Sequence, residues 1–409
     1  MKAKHFFCLS LACTIFLAGC GKIDHIVSYG STRAALKQMV DTALEKYRQE
    51  VPEYPGGVVL KVISGNDEYF VTAGMGNAVT ARSHFRAASC TKTFTASAIL
   101  LLHQQGLLNI RDRITDTIPG TDETYLPGGP GYDIPYKSSI TILDLLRHRA
   151  GVFDLANDDI PDTIQAPLPY KGKNYISYIQ DPDHTFTFDE LIGVVDETGL
   201  SYFVPGSAYH YSNTGYTILG KIIERVSGMS YSDYLVEKVL RPMGMQNSYM
   251  PVLGTDQNLP TPFVNGYVLM DKQVIDCSVF NMSANVAEGN LISTADDLSL
   301  FIKKLLTGKG VLNHYTVNTL MMNCLPQGSN SAGGYGCGLE YMNNLGYGHN
   351  GATAGYLSYM IYDPELDLTI VVYTNAWDMT NNMESITHQV TGFLQSVCYE
   401  SKALVRRAQ

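Results

Sequence analysis

Segments with the pattern of β-strands lie near both ends of this chain, and their separation is the feature that most constrains its fold. Residues 58–78 predict two strands joined by a turn at Gly65, and residues 356–374 predict two more joined by a turn at 363–367. Strands joined by hairpins pair antiparallel, whereas alternating strands and helices would predict a parallel sheet. We therefore expect an α+β fold, in which both chain ends build one antiparallel sheet flanked by helices.

Helical periodicity dominates the rest of the chain. The predicted helices cover residues 31–50, 89–106, 141–148, 188–197, 213–227, 230–240, 294–306 and 381–399. This arrangement predicts one domain over residues 31–409, divided into two lobes. An α/β lobe combines residues 31–105 and 285–409, and a helical lobe is inserted at 106–284. The cleft between the lobes is the expected place for a site.

The N-terminus has the pattern of an export signal. Lys2 and Lys4 precede an apolar run at 6–18, which is shorter than a membrane-spanning helix needs. The run ends in Leu-Ala-Gly-Cys20, which resembles the lipobox of bacterial lipoproteins; an ordinary secretory signal is the alternative. Residues 1–20 are thus predicted to be a lipoprotein signal peptide, with a lipid on Cys20 anchoring the protein on the periplasmic or outer side of a membrane. Gly21 after this cysteine favours the outer membrane over the inner one.

Composition excludes several functions. The net charge is −10 and no basic cluster exceeds a pair, so nucleic acid is not an expected partner. The CxxC and HExxH patterns are absent, and we predict neither a metal nor a cofactor. Beyond Cys20 the chain has five cysteines, Cys90, Cys277, Cys324, Cys337 and Cys398. A Cys324–Cys337 disulfide is left open, because spacing does not determine pairing.

The sequence Ser89-Cys-Thr-Lys92 is the one S-x-x-K in the chain and lies at a predicted helix start. Residues three apart share a helix face, so the serine hydroxyl and the lysine amine can meet. A serine needs a nearby base to become a nucleophile, and a lysine can serve when its pKa is lowered. The alternative is a helix-capping serine with a surface lysine one turn further on.

Two further motifs follow in the chain, Tyr211-Ser-Asn213 and His349-Asn-Gly351. With Ser89-x-x-Lys92 in front of them, their order resembles the serine β-lactamase and penicillin-binding-protein superfamily, in its class C β-lactamase and DD-peptidase branch. Residues 85–96, 140–152 and 289–298 resemble recurring stretches of the same family. The resemblance implies a β-lactamase/transpeptidase-like fold and an acyl-enzyme mechanism.

The resemblance also implies roles for individual residues. Ser89 would attack the substrate carbonyl, and Lys92 and Tyr211 would share the proton transfers, with the general base left open between them. Substrate-binding roles fall to Asn213, His349 and Gly351. The oxyanion hole would be formed by the backbone N–H groups of Ser89 and Ala352.

The third motif, His349-Asn-Gly351, bears on the choice of substrate. In the related class C β-lactamases the motif at this position resembles Lys-Thr-Gly. A lysine is a fixed cation for a substrate carboxylate, whereas a histidine is only partly charged near neutral pH. We expect a serine peptidase or amidase that acts on small D-amino-acid-containing peptides, such as peptidoglycan stems. The alternatives are an esterase of short acyl esters, a β-lactamase and a non-catalytic penicillin- or peptidoglycan-binding protein. The oligomeric state is left open.

Overall fold

The computed structural model describes residues 17–328, 333–380, 385 and 388–408. The strands in these ranges are β1 Val58–Ser64, β2 Asp67–Ala73, β3 Phe85–Arg86, β4 Tyr267–Met270, β5 Gln273–Asp276, β6 Ile292–Ser293, β7 Leu325–Pro326, β8 Gly334–Tyr335, β9 Glu340–Met342, β10 Gly346–Thr353, β11 Tyr356–Asp363, β12 Leu368–Thr374 and β13 Ala376–Asp378. The helices are α1 Leu17–Glu50, α2 Thr91–Gln104, α3 Ile142–Leu146, α4 Tyr175–Tyr178, α5 Phe188–Thr198, α6 Asn213–Ser227, α7 Tyr231–Tyr234, α8 Arg241–Met243, α9 Ala295–Leu306, α10 His314–Thr316 and α11 Gln395–Ala408.

Both ends of the chain meet in the main sheet. Among the described residues this sheet has eight strands in the order β2-β1-β12-β11-β10-β9-β8-β7, and all its neighbours are antiparallel. Val58 near the start of the chain pairs with Thr374 near its end. The predicted α+β class and the assembly of the sheet from both chain ends are confirmed.

Successive side chains of each strand in the main sheet point to opposite faces, and each face is covered by a hydrophobic layer. On one side, which we call the terminal-helix face, α1 and α11 cover the sheet; Leu60 of β1 packs there with Leu36 and Leu394. On the other side, which we call the catalytic face, Val59 packs with Phe94 of α2 and Phe301 of α9. The hydrophobic core of the catalytic face continues through α5 and α6, which contribute Leu191 and Ile218 to it.

Several predicted helix boundaries differ from the observed ones. The helix over 213–227 has the predicted bounds, because Ser212 caps its first turn through the N–H of Gly215 and Gly228 ends it at φ 68°. The predicted start of the first helix at residue 31 is wrong, since α1 already begins at Leu17. The predicted helix over 230–240 is α7 followed by a π-helical turn, Leu235–Leu240.

The last predicted helix, 381–399, falls partly on residues 381–384, 386 and 387, which lie outside the described residues. Its described part consists of a π-helical turn, His388–Leu394, and α11, which continues to Ala408. The predicted helical lobe contains a β-hairpin as well, because β4 and β5 pair with each other and β4 pairs in parallel with β13. The predicted lobe boundaries stay a prediction.

Among the helices that the structure describes, none is long and apolar enough to cross a membrane. The five cysteines Cys90, Cys277, Cys324, Cys337 and Cys398 are free thiols. The Cys324–Cys337 disulfide that the sequence left open is therefore not formed in this structure.

Candidate active site

Ser89 lies on a tight turn at the catalytic face. The turn is a single 3₁₀ segment, Ala88–Cys90, which leads directly into α2. Ala88 has φ 50°, a left-handed conformation that is strained for a residue with a side chain and is typical of functional sites. Hydrogen bonds hold the turn in place: the Ala87 N–H donates to the Leu291 carbonyl over 2.8 Å, and the Thr91 hydroxyl donates to the Ala88 carbonyl over 2.6 Å. The serine is half-buried at the end of this constrained turn.

The structure brings Lys92 to Ser89, as the spacing predicts. The Lys92 side chain is fully buried, and its Nζ lies 3.2 Å from Ser89 Oγ. Nζ also donates to Asn213 Oδ1 over 2.6 Å and to the Glu288 carbonyl over 2.8 Å. Burial lowers the pKa of Lys92, because the charged form loses its hydration. The capping-serine alternative is wrong, since Lys92 is not a surface residue.

Tyr211 and Asn213 reach the same point from the start of α6. The Lys92 Nζ stands 4.7 Å from the centre of the Tyr211 ring. Burial raises the pKa of Tyr211 well above its usual value, although an interaction with the Ser89 hydroxyl acts in the opposite direction. The amide of Asn213 is oriented by Asp154, whose Oδ2 accepts from Asn213 Nδ2 over 3.3 Å. The oxygen of that amide therefore faces Lys92.

The strand β10 closes the site opposite α2. A Cβ on Gly351 would lie 2.2 Å from the Ala87 carbonyl oxygen and 2.8 Å from Ser358 Oγ, so only glycine fits against the nucleophile turn. Ala352 is the next residue on this strand and is exposed. The oxyanion hole formed by the N–H groups of Ser89 and Ala352 stays a prediction, as do the substrate contacts of Asn213 and Gly351.

His349 lies on the same strand but is fully buried. Its Nδ1 is 2.6 Å from the Asn350 carbonyl, which can only accept, so Nδ1 carries the hydrogen. Its Nε2 then accepts from the Tyr335 hydroxyl at 2.9 Å. Burial lowers the pKa of His349 to about 3, and the nearby Lys92 acts in the same direction. The ring is thus uncharged near neutral pH, and its predicted contact with substrate stays a prediction.

Sequence reasoning assigned no role to His148, which stands directly behind Tyr211. The side chain is buried, and its Nδ1 accepts the Ser212 N–H over 3.1 Å. Its ring lies 4.3 Å from the ring of Tyr211 and 4.6 Å from that of Tyr335, centre to centre. Burial lowers the pKa of His148 well below its usual value. The position of His148 in the Leu-Leu-Arg-His segment was the available signal, but nothing in that segment indicates a contact with Tyr211.

Two buried carboxylates of the site were also missed. Glu288 Oε2 lies 3.2 Å from Lys92 Nζ, and Asp154 reaches Lys92 through Asn213. Both residues are at most 3% exposed, and burial raises the pKa of each side chain. Their partners are distant in the chain, so no local motif identifies them.

Cys90, the neighbour of the nucleophile, is packed rather than reactive. It is fully buried, its Sγ donates to the His349 carbonyl over 3.4 Å, and burial raises its pKa to about 12. A thiol in this state is not a nucleophile near neutral pH. The lipidation of Cys20 stays a prediction, because only the backbone of that residue is described.

The arrangement is suited to acyl transfer. The Ser89 hydroxyl faces a buried amine and a phenol, which together supply a nucleophile and two proton-transfer groups. Within the described ranges, no three or more His, Cys, Asp or Glu side chains are grouped so as to bind a metal ion.

Comparison with known proteins links this chain to one family. The sequence profile of the family described as Beta-lactamase matches residues 44–391. Penicillin-binding protein 4* of Bacillus subtilis (strain 168) is 25% identical over 371 residues, which span 87% of this chain and 74% of that protein.

Solved structures share the fold. The D-amino acid amidase from Ochrobactrum anthropi SV3, complexed with L-phenylalanine amide, has a TM-score of 0.70 and 24% identity, and the alignment covers 91% of this chain and 99% of that one. A D-stereospecific amidohydrolase from a Streptomyces species has a TM-score of 0.68 and 24% identity over 88% of this chain and 98% of that one.

Proposed function

The chain belongs to the beta-lactamase family and is a serine hydrolase, and we propose that it hydrolyses amide bonds of D-amino-acid-containing substrates through an acyl-enzyme on Ser89. The observation that carries the proposal is the 3.2 Å contact between Ser89 Oγ and the fully buried Nζ of Lys92. A lysine held in this way loses its proton more readily than one in water. It can then act as a base for the serine hydroxyl.

The proposed reaction follows from the protonation of each group. Lys92, whose pKa is lowered, takes the Ser89 proton while Oγ forms a bond to the substrate carbonyl carbon. Tyr211, whose pKa is raised, keeps its proton and is placed to donate it to the leaving nitrogen as the C–N bond breaks. Lys92 then returns the serine proton to Tyr211. Water hydrolyses the acyl-enzyme by the reverse sequence.

The uncharged His349 narrows the substrate class. A penicillin or a peptide with a free C-terminus carries a carboxylate, which a cation at the strand edge would bind. Here the residue at that edge is a buried, neutral imidazole whose nitrogens both have partners. The amide of a D-amino acid or the amidated end of a D-peptide needs no such cation. A D-amino acid amidase and a D-stereospecific amidohydrolase share this fold, which supports this class of substrate.

The test uses matched substrates. We expect kcat/KM for a D-aminoacyl amide to exceed that for its L-enantiomer, and a D-Ala-D-Ala peptide with an amidated C-terminus to be turned over faster than the same peptide with a free carboxylate. A short acyl ester and a cephalosporin complete the panel. Faster turnover of the free carboxylate or of the cephalosporin would contradict the proposal, and a preference for the ester would make the protein an esterase.

We also propose that the protein is an exported lipoprotein that is anchored through Cys20. The support is the sequence alone: a basic start, an apolar run and Leu-Ala-Gly before the cysteine. Cys20→Ser should move the protein from membranes to the soluble fraction after cell fractionation, with Cys90→Ser as the matched control. A Cys20→Ser protein that stays on membranes after a high-salt wash would contradict the anchor.

A further inference from the structure

Glu288 is the one carboxylate that contacts Lys92 directly among the described residues. Its Oε2 lies 3.2 Å from Lys92 Nζ, and its Oε1 accepts from Asn285 Nδ2 over 2.6 Å. Its own carbonyl also accepts from Lys92. Glu288 therefore contacts the lysine through both its main chain and its side chain.

The backbone around Glu288 is fixed against α2. Ala287, the preceding residue, has φ 72°, which is strained for alanine, and its carbonyl accepts from the Thr95 hydroxyl over 2.6 Å. Thr95 lies one turn after Lys92 on the same helix face. Thr95 and Lys92 therefore hold the strained turn at two successive carbonyl groups. The Glu288 carboxylate that this turn carries has little freedom to move away from Lys92.

Two carboxylates, Glu288 and Asp154, act on the buried amine of Lys92. The other titratable groups that face the pair are uncharged near neutral pH: the imidazoles of His148 and His349, the thiol of Cys90, and the phenols of Tyr211, Tyr216 and Tyr231. Asp154 is the second carboxylate, but three donors already serve it: the Ala156 N–H, Asn157 Nδ2 and Asn213 Nδ2. Glu288 has one amide donor, so its charge depends on Lys92 much more than that of Asp154 does.

We propose that Glu288 is a positioning residue for the reaction, and that its carboxylate sets the protonation of Lys92 and thereby the pH range in which Ser89 can be acylated. An anion 3.2 Å from a buried amine favours the ammonium form and opposes the effect of burial. The inference rests on the proposed acyl-enzyme on Ser89, but it does not depend on which substrate forms it.

The sign of the effect follows from this pairing. The neutral amine is the form that accepts the serine proton, so acylation rises with pH as Lys92 loses its proton. Glu288→Gln keeps the size of the side chain and removes the anion, so Lys92 loses its proton at a lower pH. The acidic limb of the pH profile should therefore move downward by about 1–3 pH units, the usual effect of one close opposite charge.

The experiment measures the rate at which a fluorophosphonate probe labels Ser89 in the full chain, between pH 5 and 10. We expect labelling by Glu288→Gln to exceed that by wild type about tenfold for each pH unit of displacement, at pH values below the wild-type limb. Glu288→Asp keeps the charge and should stay closer to wild type. Asp297→Asn removes another buried carboxylate, which bonds Ser248 away from Lys92, and should leave the limb unmoved.

The outcomes separate this inference from the proposed function. If wild type is not labelled at Ser89, the acyl-enzyme itself is wrong. If wild type is labelled but the limb of a folded Glu288→Gln protein does not move, Glu288 does not set the protonation of Lys92. Should Glu288→Gln not fold, Asn285→Ala removes the other donor to the carboxylate and should shift the limb in the same direction by less. An unmoved limb in Asn285→Ala would then overturn the inference.

Discussion

The two faces of the main sheet are built from the same strands but differ in their buried polar groups. On the terminal-helix face buried polar groups form a hydrogen-bond network, in which Gln389 donates to the Tyr54 hydroxyl and the Ala376 carbonyl, and Tyr54 also contacts Thr374. On the catalytic face the buried polar groups include ionisable side chains packed around Ser89, among them Lys92 and Glu288. The first face satisfies its polar groups mainly with neutral partners, with the Asp378 carboxylate, which accepts from the Tyr47 hydroxyl over 3.4 Å, as a charged exception. The second face holds several groups whose charge depends on one another.

This difference indicates that the terminal-helix face contributes mainly to stability, whereas the catalytic face carries the chemistry. Neutral hydrogen bonds and apolar contacts on the terminal-helix face have one preferred state. Buried ionisable groups have at least two states, and burial brings their energies close together because it penalises charge. The catalytic face is thus less stable than a purely apolar layer, and it can exchange protons for the same reason.

The largest expected effect is a complete loss of activity without a loss of stability, from one substitution on the catalytic face. Ser89→Ala should abolish labelling by a fluorophosphonate or a fluorescent penicillin, because no other described side chain at the catalytic face is placed as a nucleophile. The thermal midpoint should stay close to wild type. Cys90→Ala is the matched control and should retain labelling at Ser89; labelling that follows Cys90 instead would mean that the nucleophile has been misassigned.

Removing the proton-handling groups should have the next largest effect. Lys92→Met and Tyr211→Phe should each lower kcat/KM by about 10²–10⁴, the usual size of a general acid–base contribution. The double variant should lose much less than the product of the two, because the residues act as a unit. Steady-state kinetics on the best D-aminoacyl amide test this, and fully multiplicative losses would show that they act independently.

A substitution on the opposite face should change stability alone. Leu394→Ala removes a fully buried side chain from the layer between α1, α11 and the sheet, and should destabilise the fold by about 2–5 kcal/mol. At a temperature where the variant is folded, kcat/KM should equal that of wild type. Denaturant unfolding and kinetics on the same sample provide the comparison, and a loss of activity in the folded variant would mean that the two faces are coupled.

The smallest expected effect is a loss of stability in mild acid. Burial lowers the pKa of His148 and His349, so protons bind the unfolded chain first, and stability is lost as the pH falls below the unfolded value of about 6.5. At pH 5.5 the loss should be about 1 kcal/mol for each histidine. His349→Gln should weaken the dependence of the thermal midpoint on pH, whereas His388→Gln, at an exposed histidine, should leave it unchanged.

The parts of the site that were predictable have local causes. The Ser89–Lys92 contact follows from a three-residue spacing, and the bounds of α6 follow from a capping serine and a C-terminal glycine. Glu288 and Asp154 could not be found in this way, because Glu288 meets Lys92 from 196 residues further along the chain. The start of α1 at Leu17 was missed in part because residues 1–20 are predicted to be a signal peptide, and a signal sequence and a helix are compatible patterns.

The pairing of β1 with β12 has a consequence for how the protein reaches its active state. One neighbour of β1 is the next strand, but the other belongs to residues about three hundred positions later, and contacts so distant make folding slow. Until β12 is available, the β1–β2 hairpin has an open edge that invites wrong pairing. The turn that carries Ser89 also packs against a late strand, because Gly351 of β10 lies directly against Ala87. On the export route proposed above, the chain would therefore cross the membrane before its active site is complete, because β10 and β12 would arrive last.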